Sequence, residues 1–229
     1  MHIPKSQLKE DTRSTVIGQD WNTLLPSFID DQELGDPDKT RVALLQAKSI
    51  MRAQEQRIHL LEKMALTDEL TGLANRRGFY AVFNRELSLA QRDVNSGGVL
   101  VMIDLDGFKE INDKWGHQTG DSYLRTVAQT LQESVRTSDV VARLGGDEFG
   151  ILMTHVDEKN GAKRVAKLEA AFNKSAMMYH GRVPQRLALC ASFGFAPYAG
   201  GDSVDGVIQS ADLRLYAHKA RNKTLIAAD

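Results

Sequence analysis

The run Val-Val-Ala-Arg-Leu-Gly-Gly-Asp-Glu-Phe-Gly-Ile-Leu-Met, Val140–Met153, sets two backbone-permissive glycines directly before two carboxylates. Apolar residues alternate on both sides, at Val141 and Leu144 and then at Phe149, Ile151 and Met153, the two-residue period of paired strands. The paired glycines suit a turn whose central residues need positive φ. The run therefore reads as a β-hairpin that holds Asp147 and Glu148 at its tip. Carboxylates fixed this way are hard oxygen donors of the kind that hold Mg²⁺ beside a substrate's phosphates. On a plain surface hairpin the same acids would only be solvated.

Upstream, Val99–Asp106 (Val-Leu-Val-Met-Ile-Asp-Leu-Asp) is a continuous apolar strand that ends in acid. Asp104 and Asp106 are expected to point to opposite faces there. Asp104 beside a tip bearing Asp147 and Glu148 would complete the carboxylate cluster that two-metal phosphoryl or nucleotidyl transfer requires. The chain order of the three acids suits a palm-type cyclase or polymerase.

Four further stretches carry a resemblance. Asp68–Phe79 (Asp-Glu-Leu-Thr-Gly-Leu-Ala-Asn-Arg-Arg-Gly-Phe), Asp104–Asp121 (Asp-Leu-Asp-Gly-Phe-Lys-Glu-Ile-Asn-Asp-Lys-Trp-Gly-His-Gln-Thr-Gly-Asp), Ser192–Ala196 and Ala211–Lys219 fall in order around the Gly-Gly-Asp-Glu-Phe signature, Gly145–Phe149. With them the chain resembles GGDEF-domain diguanylate cyclases from about Ala65 to its end. The resemblance implies condensation of two GTP into cyclic di-GMP and two pyrophosphates by a homodimer. It implies Mg²⁺ or Mn²⁺, two ions per half-site, held by Asp104, the Leu105 carbonyl, Asp147 and Glu148. By the same resemblance Asp147 matches the proposed base for the 3′-hydroxyl and Lys109 the transition-state stabiliser.

Asn112 and Asp121 match the family's guanine-contacting pair, and an acid there favours guanine, whose edge offers two donors, over adenine. As plain structure, Asn112 could cap a turn and Asp121 could N-cap a helix. Phosphate handling falls to Lys109, Lys219 and backbone N–H groups of the turn around Gly107 and Phe108. The closing Lys-Ala-Arg-Asn-Lys-Thr, Lys219–Thr224, departs from the family pattern by lacking the Gly before Arg-Asn. That leaves Lys223 as second phosphate contact, with Arg221 the alternative; basic residues late in a helix also complement its dipole. His117 reads as a structural hydrogen-bonder. Arg136 and Asp139, in Arg-Thr-Ser-Asp, resemble the family's inhibitory site for cyclic di-GMP; an ordinary helix end and turn acid is the plainer reading.

Composition bounds the rest. The 229 residues carry 29 basic and 30 acidic side chains, a net charge of −1, which provides no general field for a nucleic-acid polymer and fits a mononucleotide substrate better. A single cysteine, Cys190, rules out an internal disulfide and reads as a buried strand thiol. Apolar runs are too short to span a membrane and the start lacks a signal-peptide core, so a cytoplasmic protein is expected.

Residues 1–38, broken by Pro4, Pro26, Gly35 and Pro37, read as a flexible arm without a sensor domain. Residues 39–66 read as a helix with Leu44, Ala47, Met51, Gln54, Ile58, Leu61 and Ala65 in steps of three and four, either a dimerising coiled coil or a helix packed on its own domain. A regulatory partner could act there. Residues 67–229 form the cyclase domain, an α/β palm-like fold with a central mixed, largely antiparallel sheet covered by helices. Its expected elements are helices from Asn75, Thr119, Glu158 to about His180, and Ser203 to about Lys219, and strands at Val99–Leu105, in the hairpin, and at Leu187–Ala196. A module that binds GTP or cyclic di-GMP without turnover is the alternative, but such modules usually show an eroded signature.

Overall fold

A computed structural model describes residues 37–93, 96–181 and 184–226. The expected arm lies outside the described residues except for its last two. The chain divides into two compact units, one ending at Ile58 and the other starting at His59.

The described part of the first unit is helical, within α1 (Pro37–Leu66). Val42, Leu44, Leu45, Ile50, Met51 and Ile58 are each more than half exposed along it. Of these, Leu44, Met51 and Ile58 are seven residues apart and so share one side of the helix. No described helix is long and apolar enough to cross a membrane.

The second unit runs β1 (Ala74–Asn75), α2 (Arg76–Ala90), β2 (Gly98–Leu105), α3 (Phe108–Trp115), α4 (His117–Glu133), β3 (Val140–Arg143), β4 (Glu148–Thr154), α5 (Glu158–Phe172), β5 (Ala176–Tyr179), β6 (Gln185–Ala188), β7 (Ala191–Tyr198) and α6 (Val204–Ile226). Five strands make one sheet in the order β1-β3-β4-β2-β7. Among the described strands of this sheet, only β1 and β3 are parallel; the remaining neighbours are antiparallel. The expected mixed, largely antiparallel sheet is thus the fold. β5 and β6 form a separate two-stranded ribbon.

Strand alternation distributes two cores. Odd residues of β2 and β4 (Val99, Val101, Ile103, Phe149, Ile151, Met153) pack with Val127 and Leu131 of α4 and Val165 and Phe172 of α5. The even residues Leu100 and Leu152 pack on the other face with Phe79 and Phe83 of α2 and Val207 and Ala211 of α6. α6 lies close on β7 because Gly194 has no side chain: a Cβ there would come 2.3 Å from both Ala211 O and Leu215 N.

Several boundaries differ from the sequence expectation. The helix from Glu158 stops at Phe172, because Ala176–Tyr179 pairs with Gln185–Ala188 instead of continuing the turn. The expected strand Leu187–Ala196 is interrupted at Leu189 and Cys190, where the chain passes from the ribbon to the main sheet. Cys190 is consequently exposed, not a buried strand thiol. α3 is not among the expected helices, and α6 continues past Lys219.

Candidate functional site

The β2–β4 register sets Asp104 opposite Glu148. Both are even residues, so both face α2 and α6, across the sheet from α4 and α5. The Leu105 N–H donates to the Asp147 carbonyl at 3.1 Å, which draws the hairpin tip against the end of β2. Glu148's carbonyl accepts the N–H groups of Leu144 (2.8 Å) and Gly145 (3.3 Å). Contrary to expectation, neither Gly145 nor Gly146 has positive φ. Gly145 serves through space, since a Cβ there would meet Glu148 Oε2 at 2.6 Å.

Asp106 corrects a second expectation. Two residues apart in an extended chain, Asp104 and Asp106 share a face, and α6 engages both. Lys219 Nζ lies 2.7 Å from Asp104 Oδ1. One turn later, Asn222 Nδ2 donates to Asp106 Oδ2 at 3.4 Å and to Ser192 Oγ at 3.2 Å, while Ser192 Oγ donates to Asp106 Oδ1 at 3.0 Å. Burial pushes the Asp104 carboxyl above its usual range; Lys219 pulls it down, but Asp147 and Asp106 push it up again, and the net direction is up. A site with surplus negative charge and oxygen donors alone fits a hard divalent cation. Among the described residues, no three acid, His or Cys side chains stand converged as a finished cage.

The nucleotide-side residues gather on α3 and α4. Gly107, at φ 71°, starts α3 with no side-chain cap, which leaves the helix's first N–H groups open to an anion. Lys109 is exposed in that first turn. Phe108 does not face solvent freely: its ring stacks on Tyr123 at 6.2 Å. Asn112 lies on the side of α3 facing α4, so close that a Cβ on Gly120 would come 2.0 Å from Asn112 Oδ1. Exposed Asp121 follows Gly120 in α4. Because α4 starts at His117, Asp121 is no N-cap, and exposed His117 is the first helical residue. Arg221 is exposed and its Nε donates to Ala217 O at 3.3 Å; the Lys223 side chain lies outside the described residues.

Arg136 and Asp139 behave differently from each other. Arg136 is exposed, but the Asp139 side chain is fully enclosed. Its carboxylate accepts Arg136 N at 2.8 Å and Thr154 N at 3.3 Å, and it pairs with Arg164. The expected inhibitory pair therefore presents one free side chain and one committed to the fold.

Sequence reasoning missed several supports. Arg143 donates to Gly146 O at 2.8 Å and to the Asp68 carboxylate at 3.3 Å, tying the tip to the Asp68–Thr71 turn. Burial raises the Asp68 carboxyl, but hydrogen bonds from Thr71 and the Arg143 charge outweigh it and hold it below its usual range. Tyr123 OH donates to Ala188 O at 3.0 Å and accepts from Cys190 N at 3.2 Å. Burial pushes that phenol up to about 12. The Cys190 carbonyl in turn accepts Asp106 N at 2.9 Å. Ser192, a polar residue inside an otherwise apolar run, was the available signal.

Residues 65–224 match the family model described as diguanylate cyclase, GGDEF domain. The diguanylate cyclase DosC of Escherichia coli (strain K12) is 39% identical over 159 residues, covering 69% of this chain and 34% of DosC. The chain thus spans about a third of that relative's length. Among solved structures, the coiled coil and GGDEF domain of DgcB from Caulobacter crescentus, in complex with c-di-GMP, is 28% identical at a TM-score of 0.71, covering 79% of this chain and 94% of that one. The diguanylate cyclase SiaD of Pseudomonas aeruginosa, in complex with its activator SiaC, is 26% identical at a TM-score of 0.64, covering 83% of this chain and 75% of that one.

Proposed function

The chain belongs to the GGDEF diguanylate cyclase family, and on that premise we propose that it condenses two GTP into cyclic di-GMP. Each 3′-hydroxyl oxygen forms a bond to the other nucleotide's α-phosphorus, each α–β phosphoanhydride breaks, and two pyrophosphates leave. The observation that carries this reading is the register of Asp104 against Glu148, with Asp147 drawn against the end of β2.

Asp104, the Leu105 carbonyl, Asp147 and Glu148 would hold Mg²⁺ or Mn²⁺, two ions per half-site. When bound, the metal supplies charge neutralisation at the α-phosphate and a more acidic 3′-hydroxyl. Asp147 orients that hydroxyl and accepts its proton. Lys109 meets the charge that develops on the transferred phosphate. Gly107 and Phe108 offer backbone N–H groups to the phosphates. Asn112 and Asp121 read the guanine edge, and His117 lies exposed at the start of α4. Lys219 turns from Asp104 to a phosphate when GTP enters, with Lys223 as its companion.

Two half-sites must face each other, so the enzyme acts as a homodimer, with the exposed stripe of α1 as the seam. A regulatory partner at α1 is in keeping with the activator-bound SiaD structure. GTP as substrate fits a cytoplasmic enzyme. Product inhibition through Arg136 and Asp139 rests on the Arg136 guanidinium, which can read guanine O6 and N7, while Asp139 holds the turn in shape.

The test is incubation of the full chain with Mg²⁺ and either GTP or ATP, following cyclic dinucleotide and pyrophosphate by chromatography. Cyclic di-GMP from GTP alone, absent in Asp147→Ala, is the expected result. Absence of product from folded, dimeric, nucleotide-free protein would overturn the reading.

A further inference from the structure

The N–H groups on the outer side of β7 have no strand partner, because β7 is the edge of the sheet. One of them, Phe193 N–H, donates instead to His218 Nδ1 of α6 at 3.0 Å. With Nδ1 accepting, the ring proton of the neutral imidazole sits on Nε2. That atom lies 3.2 Å from Glu169 Oε1 of α5. One imidazole thus joins a strand edge and two helices.

Packing alone does not hold this ring. A cavity of about 390 Å³ opens beside it, bounded by Val165, Phe193, Phe195 and Arg214 among others. The two hydrogen bonds therefore act with the close approach at Gly194 and the Arg214 Nη1–Phe195 O bond (2.7 Å) to hold this part of α6 along β7. The neighbouring residue is Lys219, on Asp104, and one turn on is Asn222, on Asp106 and on Ser192, which precedes Phe193 in β7. A slip or roll of α6 would move both from the acid cluster together.

We propose that His218, oriented by Glu169, is a positioning residue that anchors α6 to Phe193 N–H and thereby sets the reach of Lys219 toward the substrate phosphates. The role of Lys219 rests on the cyclase reading above; the anchor itself does not.

Two readouts on the full chain separate these layers: hydrogen exchange of the Phe193 amide by NMR, and KM and kcat for GTP. His218→Ala should speed Phe193 exchange about tenfold or more and raise the GTP KM by about tenfold, with kcat changed less than about threefold. His218→Asn, whose side-chain oxygen can accept in place of Nδ1, should restore both most of the way. Glu169→Gln, which keeps an acceptor for Nε2–H, should resemble the wild type. Unchanged Phe193 exchange in His218→Ala would overturn the anchor. Equal losses in stability and kcat, with KM unmoved and no rescue by Asn, would overturn the positioning role. Should the wild type bind no GTP while Phe193 behaves as stated, the cyclase reading fails and the anchor stands.

Discussion

At the base of the β3–β4 hairpin, the carboxylate of Asp139 is fully enclosed and held by Arg164 and by the N–H groups of Arg136 and Thr154. At the other end, Asp104 stands near Asp147 and Asp106 with Lys219 as its paired cation. The first acid is satisfied by the protein; the second carries charge that the protein leaves incompletely answered. The difference teaches where folding ends and ligand chemistry begins, because a buried acid kept for stability is surrounded by donors. An acid kept for a cation is surrounded by other acids.

The largest effect expected from this contrast is on stability. Asp139→Ala would leave Arg164 largely buried without its partner and should cost about 3–5 kcal/mol, read from urea unfolding. A loss below about 1 kcal/mol would erase the distinction between the two ends.

Gly120→Ala sharpens the ligand side of the comparison. The added methyl would fall 2.0 Å from Asn112 Oδ1, so Asn112 must swing away. The expected result is a GTP KM raised about tenfold or more with little change in unfolding midpoint. An unchanged KM would detach Asn112 from guanine reading.

The pH dependence should also split by region. Asp104 has a raised folded-state pKa, so the native state holds its proton longer than the unfolded chain does. Its contribution to stability is present below the ordinary aspartate value of about 3.9 and is lost as pH rises through the raised one. Asp68, lowered by Thr71 and Arg143 against its burial, has the opposite sign: its contribution is present above the ordinary value and lost as pH falls through the lowered one. Unfolding midpoints of Asp104→Asn and Asp68→Asn across the acid range, each against wild type, should therefore diverge in opposite directions. Parallel curves would contradict the assignment.

Much of the tip was legible in the sequence because its signals are local. Strand alternation through Phe149, Ile151 and Met153, and acids at the end of an apolar strand, fix the hairpin and the facing of Asp104 without knowledge of the rest. What escaped was set by distant partners. Ala-Met-Met-Tyr at Ala176–Tyr179 suits a helix as well as a strand, and only its pairing with Gln185–Ala188 decides it. The enclosure of Asp139 depends on Arg164, 25 residues away, and no spacing rule announces that pair. Asp106 shares the face of Asp104 because side chains in an extended chain repeat every two residues, and Gly145 supplies room for Glu148 where the sequence suggests a left-handed backbone angle.

The most direct test of the contrast is the unfolding midpoint of Asp104→Asn, measured on protein that is also assayed with GTP and Mg²⁺. Stability within about 1 kcal/mol of wild type, or higher, together with loss of cyclic di-GMP formation, is the predicted result. Destabilisation of about 3 kcal/mol or more, comparable to that of Asp139→Ala, would show that Asp104 serves the fold and would contradict the account.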